Sequence, residues 1–384
     1  MKILLAPDSF KGSLSSQKAI SLLKDAARNV FEDCEFVSVP MADGGEGTME
    51  VLVNVMGGSF GQHTVTGPSG HPVKARYGVL DSSTAMIEMA EASGITLVSG
   101  EERNPLYTSS YGTGELIAHL LSEGFTNIIM AIGGSATNDG GIGAAQALGI
   151  DFLGQDGKPV KPIGKNLGKI ESICTDNRHP ELDKAHFTIM CDVTNPLTGP
   201  NGATFVYGPQ KGGNKEELQE LEKGMYHYAE VLRHTVGKDY SSQEGAGAAG
   251  GISIPFLAFT DARLQSGIDT VLDTIQFEKL LEGVDLVVTG EGRVDWQSAY
   301  GKVLSGIGHV CKKKRIPVVA IAGGMGEGFS DIYDHGICSI IPLVNRPMEL
   351  SDAMTDSETL FYDAAWRMFR LIQIGMKISK NSDL

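Results

Sequence analysis

The chain has 384 residues, which is enough for two domains or more, and its hydrophobic fraction of 41% excludes a largely disordered protein. The formal net charge of −15 argues against binding to nucleic acids or to anionic membranes. An anionic substrate would therefore need nearby lysines, arginines or a metal ion to offset this charge.

The cysteines and the first residues bear on the cellular compartment. Five cysteines stand far apart with no C-x-x-C pair, which fits reduced thiols and disfavours a zinc site. The first apolar run, Ile3 to Ala6, ends at Pro7 and is too short for the core of a signal peptide. No apolar stretch approaches the length of a membrane span. We therefore expect a cytoplasmic protein that binds neither nucleic acids nor membranes.

Short apolar runs that stop at glycine or proline predict buried strands. They lie at Lys2–Ala6, Phe36–Pro40, Asn127–Ile132, Phe187–Met190, Asp285–Thr289, Val318–Ala322 and Ile337–Leu343. Amphipathic stretches between them predict helices at Gln17–Val30, Gly114–Leu121 and Glu216–His234. This alternation predicts an α/β fold in which parallel sheets are covered by helices on both faces.

Two segments depart from this alternation. Gly61–Leu80 alternates polar and apolar residues around a turn rich in Gly and Pro, which predicts an antiparallel hairpin. Asp156–Pro180 is rich in loop-forming residues. The strands near the two chain ends share one design of strand, acidic glycine loop and helix. We therefore expect both ends to form one domain, with the middle of the chain inserted as a second domain.

The first loop, Ala6–Ser15, leaves a strand and enters a helix that Ser13 or Ser15 could cap. Backbone N–H groups at a helix start, with Lys11 beside them, suit an anion. An ordinary strand–helix turn with a solvated lysine is the simpler explanation of this motif alone.

The second loop, Ala42–Thr48, also follows a strand and holds Asp43 and Glu46 among three glycines. Two carboxylates at this spacing suit Mg²⁺, directly or through water. The same residues would also suit the start of a helix, where acidic side chains favour the helix dipole. Both interpretations stay open at this point.

The third loop, Gly133–Gly143, lies between a strand and an Ala-rich stretch. Its small side chains let the backbone approach phosphate oxygens, and the hydroxyls of Ser135 and Thr137 add donors. We therefore predict a ligand-binding loop. Lys211, in the tight turn Pro209–Gly212, adds a cation whose role is open.

Asp192 stands where the strand Phe187–Met190 opens into a loop of Pro and Gly residues. Ligands of open α/β sheets bind at this edge, so Asp192 is a candidate general base or metal ligand. Further along, Gly245–Gly251 contains G-x-G-x-x-G, but no clear strand precedes it. We reject a dinucleotide fingerprint there and favour a tight helix start near a ligand, with close helix packing as the alternative.

The segment Thr289–Gln297 leaves a buried strand and is followed by Lys302. Its acids, Glu291 and Asp295, could bind a metal ion, while Arg293 and Lys302 could meet phosphate. A salt-bridge cluster on the surface is the alternative. Acids for Mg²⁺, glycine loops for phosphate and scattered cations together predict phosphoryl transfer to a small acceptor.

These motifs, in this order, resemble those of the bacterial glycerate kinase type-1 family. The matching segments are Ala6–Ser15, Ala42–Thr48, Gly133–Gly141, Cys191–Leu197, Pro209–Gly212, Gly245–Gly251 and Thr289–Asp295. The resemblance implies an enzyme that phosphorylates D-glycerate with ATP and Mg²⁺, with 2-phosphoglycerate favoured over 3-phosphoglycerate. Two features depart from the family pattern, namely Trp296 before Gln297, and Ile252–Phe256 with its proline.

The resemblance also implies two α/β domains with the active site in the cleft between them. Residues 1–62 and 253–384 would form a flavodoxin-like domain whose parallel sheet is built from both chain ends. Residues 63–252 would form an inserted domain with a mixed sheet. A homodimer is left open.

The resemblance carries roles over to individual residues. Asp192 would accept the proton of the glycerate hydroxyl, and Lys11 and Arg293 would complete the catalytic set. Asp43 and Asp295 are the predicted metal ligands, with Asp8 as an alternative. The predicted binding residues for substrate or nucleotide are Asp8, Ser9, Gly134, Ser135, Thr137, Asn138, Asn195, Lys211, Gly247, Gly290, Glu291 and Lys302.

Two other classes of function remain as alternatives. A sensor that binds a sugar acid without turnover would use the same loops, although it would need no general base such as Asp192. A nucleotide-linked oxidoreductase is suggested only by Gly245–Gly250.

Overall fold

The computed structural model describes residues 1–45, 47–299 and 301–382, and the chain divides into two compact units. The first unit comprises Met1–Asp43 and Gly267–Leu384, and the second comprises Gly44–Ser266. Within the described residues, no helix combines the length and the apolar character needed to cross a bilayer.

The secondary structure alternates between strands and helices along most of the chain. The strands are β1 (Lys2–Pro7), β2 (Glu35–Ser38), β3 (Ser59–Thr66), β4 (Pro72–Val79), β5 (Thr84–Glu88), β6 (Asn127–Ala131), β7 (Asp151–Leu153), β8 (Ser172–Cys174), β9 (His186–Met190), β10 (Asp261–Gln265), β11 (Leu286–Val294), β12 (Val318–Met325) and β13 (Ser339–Pro342). The α-helices are α1 (Ser16–Arg28), α2 (Thr48–Met56), α3 (Ala90–Ser93), α4 (Tyr111–Ser122), α5 (Ile142–Ala147), α6 (Ala203–Tyr207), α7 (Lys215–Val236), α8 (Ser253–Phe259), α9 (Gly267–Thr274), α10 (Phe277–Leu280), α11 (Val303–Lys314), α12 (Leu350–Thr355) and α13 (Ser357–Ser382). Short 3₁₀ turns lie at Ile95–Leu97, Gly164–Lys169, Leu182–Lys184, Pro209–Lys211, Ala248–Gly250, Trp296–Ala299 and Phe329–His335.

The sheet of the first unit has the strand order β13-β12-β11-β1-β2, and its strands pair in parallel. Ile3 of β1 lies opposite Leu286 of β11, so strands from both chain ends are direct neighbours. Counted along this unit, the order is the 2-1-3-4-5 of flavodoxin-like folds. The parallel sheet predicted from both chain ends is therefore confirmed.

Burial on both faces explains the apolar runs of this unit. Every residue of β1 from Ile3 to Pro7 is buried, and successive side chains of a strand point to opposite faces. Helices α1 and α13 pack together on one face, where Phe10 meets Phe361 edge to face at 5.3 Å between ring centroids. Helix α11 contacts β11 and α9. After β1 the chain continues to β2 on one side of the sheet, and after β11 it continues to β12 on the other side. Ligands of such folds bind at the carboxyl ends of the two strands where the order reverses in this way.

The sheet of the second unit has the order β10-β9-β6-β5-β4-β3. Strand β5 pairs in parallel with β6, and β6, β9 and β10 continue in parallel. On its other side β5 pairs antiparallel with β4, which pairs antiparallel with β3, so the predicted mixed sheet is confirmed. The hairpin predicted within Gly61–Leu80 is β3 with β4. The pair β7 and β8 forms a separate small sheet. The core includes Phe187 against Phe256, with ring centroids 5.1 Å apart.

The limits of the units differ from the predicted limits at residues 62 and 252. Helix α2 belongs to the second unit because Met49 and Val53 lie over Gly78 of β4. Strand β10 belongs there because it extends the sheet beside β9, with Asp261 opposite His186. The predicted limits place both segments in the domain formed by the chain ends.

Candidate active site

The first unit contains a cavity of about 490 Å³ at the carboxyl edge of its sheet. The loop after β1, the ends of β11 and β12, and helix α12 supply its walls. Its charged and polar lining brings together several predicted site residues, namely Asp8, Ser9, Lys11, Asp43, Glu291, Arg293 and Lys302. Gly290, another predicted residue, accepts a hydrogen bond from the backbone N–H of Asp8 at 2.9 Å.

Asp8 and Glu291 are carboxyl groups whose charged forms are disfavoured. Burial raises the pKa of Asp8 to about 6, although the N–H of Ser9 donates to its Oδ1 at 2.6 Å. Burial raises the pKa of Glu291 to about 7, against the hydroxyl of Ser298 and the charge of Lys302, which lower it. A bound cation would relieve both shifts, because it favours the ionised carboxylates.

The carboxylates of this cavity suit a hard cation such as Mg²⁺, which takes oxygen ligands. Mg²⁺ is usually held by one or two carboxylates together with phosphate oxygens. Among the described residues, no group of three or more His, Cys, Asp or Glu is arranged to hold a metal ion, and Glu46 lies outside them. One or two of Asp8, Asp43 and Glu291 could therefore hold a metal ion whose remaining ligands are phosphate oxygens.

Asp295, a predicted metal ligand, has both carboxylate oxygens engaged. One oxygen pairs with Nε of Arg293 at 3.2 Å, and the other accepts from the N–H of Gln297 at 3.0 Å. The 3₁₀ turn that follows leaves Trp296 exposed and turns Ser298 inward onto Glu291. A metal ion on Asp295 stays a prediction.

In the second unit, the buried side chain of Lys211 forms hydrogen bonds to the glycine-rich loop after β6. This side chain is 2% exposed, and its Nζ donates to the hydroxyl of Ser135 at 2.8 Å and to the carbonyl of Thr137 at 2.6 Å. Burial lowers the pKa of Lys211 to about 7, while the charge of Asp139 acts in the opposite direction. Lys211 thus supports the loop, and its direct contact with a ligand stays a prediction.

Asp139 and Ser110 form a second internal support that the sequence reasoning missed. The carboxylate of Asp139 is fully buried and accepts from the N–H and the hydroxyl of Ser110, both at 2.8 Å. Burial raises the pKa of Asp139. The sequence signal for this role is the position of Asp139 before Gly140 and Gly141, because an aspartate there often accepts a hydrogen bond from a backbone N–H of the turn. Here it accepts from the N–H of Gly141 at 3.1 Å.

The same loop presents buried polar atoms with no protein partner. The hydroxyl of Thr137 and both amide atoms of Asn138 make no hydrogen bond within the described part of the chain. Buried polar groups are normally satisfied, so a ligand or water is expected to bind them. Gly134 lies on the exposed side of the loop and accepts from the N–H of Ile95 at 2.8 Å.

The loop after β9 contains two further predicted residues, Asp192 and Asn195. Asp192 is exposed at the carboxyl edge of the sheet. The side chain of Asn195 donates to the carbonyl of Asn201 at 2.8 Å and accepts from the hydroxyl of Tyr207 at 2.7 Å. The carbonyl of Asn195 accepts from the N–H of Gly247 at 2.9 Å.

The segment Gly245–Gly251 joins the two loops of the second unit. Besides the bond from Gly247, Gly250 accepts from the N–H of Gly140 in the glycine-rich loop at 2.9 Å. The described residues 237–247 contain no strand, which excludes the dinucleotide fingerprint. Pro255, the unusual residue downstream, lies in the first turn of α8, where proline is tolerated.

Two further cavities, of about 460 and 300 Å³, lie in the second unit. Both include Asp261, the first residue of β10, and the smaller also includes Asn127 and His186, the first residues of their strands. Ligands of such sheets bind at the carboxyl ends, so these cavities lie at the opposite edge.

The buried carboxyl group of Glu291 predicts a pH-dependent stability. Its pKa rises from 4.5 to about 7 on folding, so its contribution to stability is present below pH 4.5 and is lost as the pH rises through 7. Glu291→Gln is expected to raise the free energy of unfolding by about 3 kcal/mol at about pH 8 and to change it little at about pH 4. Urea unfolding in metal-free buffer across this range measures the difference.

The matched control is Glu327→Gln, because Glu327 belongs to the same unit and its side chain is exposed. This substitution should leave the pH dependence of unfolding as it is in the wild type. A Glu291→Gln variant with an unaltered pH profile would show that the carboxyl group ionises without cost.

Known proteins resemble this chain over nearly its whole length. A model of the Glycerate kinase family matches residues 3–373. The Glycerate kinase of Halalkalibacterium halodurans is 43% identical over 364 residues, covering 94% of this chain and 96% of that protein. The Glycerate 2-kinase of Escherichia coli (strain K12) is 42% identical over 378 residues, covering 98% of this chain and 99% of that protein.

The fold agrees as well. The crystal structure of a protein assigned as glycerate kinase 2 from Salmonella typhimurium LT2 superposes with a TM-score of 0.87. Its sequence is 39% identical, and the match covers 98% of this chain and 99% of that one. The chain belongs to the glycerate kinase family.

Proposed function

We propose that the chain transfers the terminal phosphoryl group of ATP to D-glycerate and that the product is 2-phosphoglycerate. The observation that carries this proposal is the cavity of the first unit, where Asp8 and Glu291 stand with Lys11, Arg293 and Lys302. The name of the relative in Escherichia coli, Glycerate 2-kinase, supports the position of the phosphate.

The cations of the cavity are the groups that would bind the phosphates. Phosphoryl transfer depends mainly on positioning and on stabilising the charge of the transferred group. Lys11 and Arg293 are exposed and Lys302 is half-buried, so their charged ends can reach a bound anion. Mg²⁺ bound by Asp8, Asp43 or Glu291 would supply positive charge to the phosphate oxygens.

Asp192 is the proposed general base for the glycerate hydroxyl. A carboxylate at the carboxyl edge of a sheet, exposed on a loop, can accept a proton from a bound alcohol. A cytoplasmic location stays a prediction, and the choice between monomer and homodimer stays open.

The direct test is turnover of the full chain with MgATP and a panel of small hydroxy acids that includes both enantiomers of glycerate. We expect release of ADP with D-glycerate in a coupled assay. Phosphorus NMR then gives the position of the phosphate, because phosphorus on C2 couples to one proton and appears as a doublet. A phosphate on C3 couples to two protons and gives a triplet.

The same assay separates the alternatives. Tight binding of a sugar acid without release of ADP would indicate a sensor, and a change in NAD(P)H absorbance would indicate an oxidoreductase. A triplet in the phosphorus spectrum would replace 2-phosphoglycerate by 3-phosphoglycerate as the product.

A further inference from the structure

The cavity of the first unit has an apolar wall as well as charged residues. This apolar wall consists of Leu343, Leu350, Ala353 and Met354. Leu350 is 74% exposed and Met354 is 39% exposed, although both are large hydrophobic side chains. Their exposure leaves apolar surface that a ligand in the cavity could bury.

Contacts of α12 hold the apolar wall close to the loop after β1. The terminal methyl of Met354 lies 3.0 Å from the position that a β-carbon on Gly12 would occupy. Directly after α12, the hydroxyl of Ser357 donates to the carbonyl of Ser13 at 3.4 Å. The loop that carries Asp8 and Lys11 therefore lies beside the apolar wall.

The chemistry of the two walls discriminates between the two substrates of the proposed reaction. D-Glycerate has three carbons, each bearing oxygen, and offers no apolar surface that could cover Leu350. A nucleoside triphosphate has a flat heteroaromatic base at one end and anionic phosphates at the other. A volume of about 490 Å³ also falls within the range of sites for molecules of that size.

We propose that the apolar wall binds the base of the nucleotide, while the phosphates extend toward Lys11 and Lys302. This inference rests on the proposed function, in which a nucleoside triphosphate is the phosphoryl donor. The sulfur of Met354 and the branched side chain of Leu350 make favourable contacts with aromatic rings. The first unit is then the nucleotide-binding unit.

The test uses the full chain carrying both Leu350→Ala and Met354→Ala. Calorimetric titration without glycerate gives the Kd for MgATP and for inorganic tripolyphosphate, which has the phosphates but no base. We expect the Kd for MgATP to rise about tenfold or more, and the Kd for tripolyphosphate to stay within about twofold. The KM for ATP should rise while the KM for D-glycerate does not.

Leu371→Ala is the matched control, because Leu371 is 62% exposed on α13 and does not line the cavity. It should change neither dissociation constant. An unchanged Kd for MgATP in the double variant, or an equal loss of affinity for tripolyphosphate, would overturn the inference.

The outcomes separate this inference from the proposed function. If the wild type binds MgATP, the double variant loses that binding and no glycerate is phosphorylated, the nucleotide site stands and the proposed reaction fails. If the wild type phosphorylates glycerate and the double variant keeps its KM for ATP, the reaction stands and the base does not bind the apolar wall.

Discussion

Replacing Asp192 by asparagine is expected to lower kcat for D-glycerate phosphorylation by about 10²- to 10⁴-fold. Asparagine keeps the size and shape of the side chain but cannot accept the proton of the attacking hydroxyl. Asp192 is exposed in the loop that follows β9, so the substitution leaves no cavity in the core. Steady-state kinetics with both substrates, together with thermal unfolding, measure the two effects.

Asp176→Asn is the matched control, since Asp176 is also exposed and lies in the same unit between β8 and β9. It should leave kcat within about twofold and the Tm unchanged. If Asp192→Asn turns over glycerate at nearly the wild-type rate, Asp192 does not act as the general base.

Gly250→Ala is expected to lower the free energy of unfolding by about 3–5 kcal/mol. Gly250 has a φ of 74°, which disfavours any side chain. A β-carbon there would also collide with the carbonyl oxygen of Thr137 and lie 2.5 Å from Cα of Asn138. Both are backbone atoms of the glycine-rich loop, which Lys211 and Asp139 hold in place, so they cannot move aside cheaply.

Gly237→Ala separates the cost of backbone strain from the cost of the steric collision. Gly237 has a φ of 73° at the end of α7, but no atom of the described residues lies within 4 Å of its added β-carbon. Its substitution should cost only the backbone strain, about 1–2 kcal/mol. Urea unfolding of both variants gives the cost of the collision by difference, and amide hydrogen exchange should show faster opening of the glycine-rich loop only in Gly250→Ala. Equal costs would mean that this loop relaxes around the new methyl group.

The sequence predicts the central strands well because their signal is local. β1, β6, β9 and β12 are apolar runs buried on both faces and closed by glycine, proline or polar residues. The pairing of β1 with β11 is not local, because the two strands lie more than 280 residues apart, as the hydrogen bond between Lys2 and Asp285 shows. Neither apolar run contains a signal that identifies the other as its neighbour. The expectation that both chain ends share one domain came from the common design of their strands and loops and from the family resemblance.

The edge of the second sheet shows where local reasoning fails. In β10, the side chains of Asp261, Arg263 and Gln265 alternate with half-buried Ala262 and Leu264, so the strand has no continuous apolar run. A strand at the edge of a sheet needs only one neighbour and can carry such a pattern. The apolar runs of the sequence therefore did not predict β10, and the compact unit that contains it extends past residue 252.

The candidate site was predictable in residue type but not in its contacts. The acidic and glycine-rich loops were recognised, yet the sequence alone does not tell that Glu291 enters the cavity while Asp295 pairs with Arg293. A lysine in a tight turn is normally solvated, so the burial of Lys211 could not be foreseen. These outcomes depend on which loops meet, and that is settled by the tertiary fold.

The sheet assembled from both chain ends has a consequence for biosynthesis. The second unit is one continuous stretch, Gly44–Ser266, and can complete its core before β11 has left the ribosome. Until then the apolar strand β1 lacks its neighbour on the β11 side. The nascent chain must therefore keep an aggregation-prone segment from misassociating while an entire domain is made, and folding of the first unit waits for nearly the whole polypeptide.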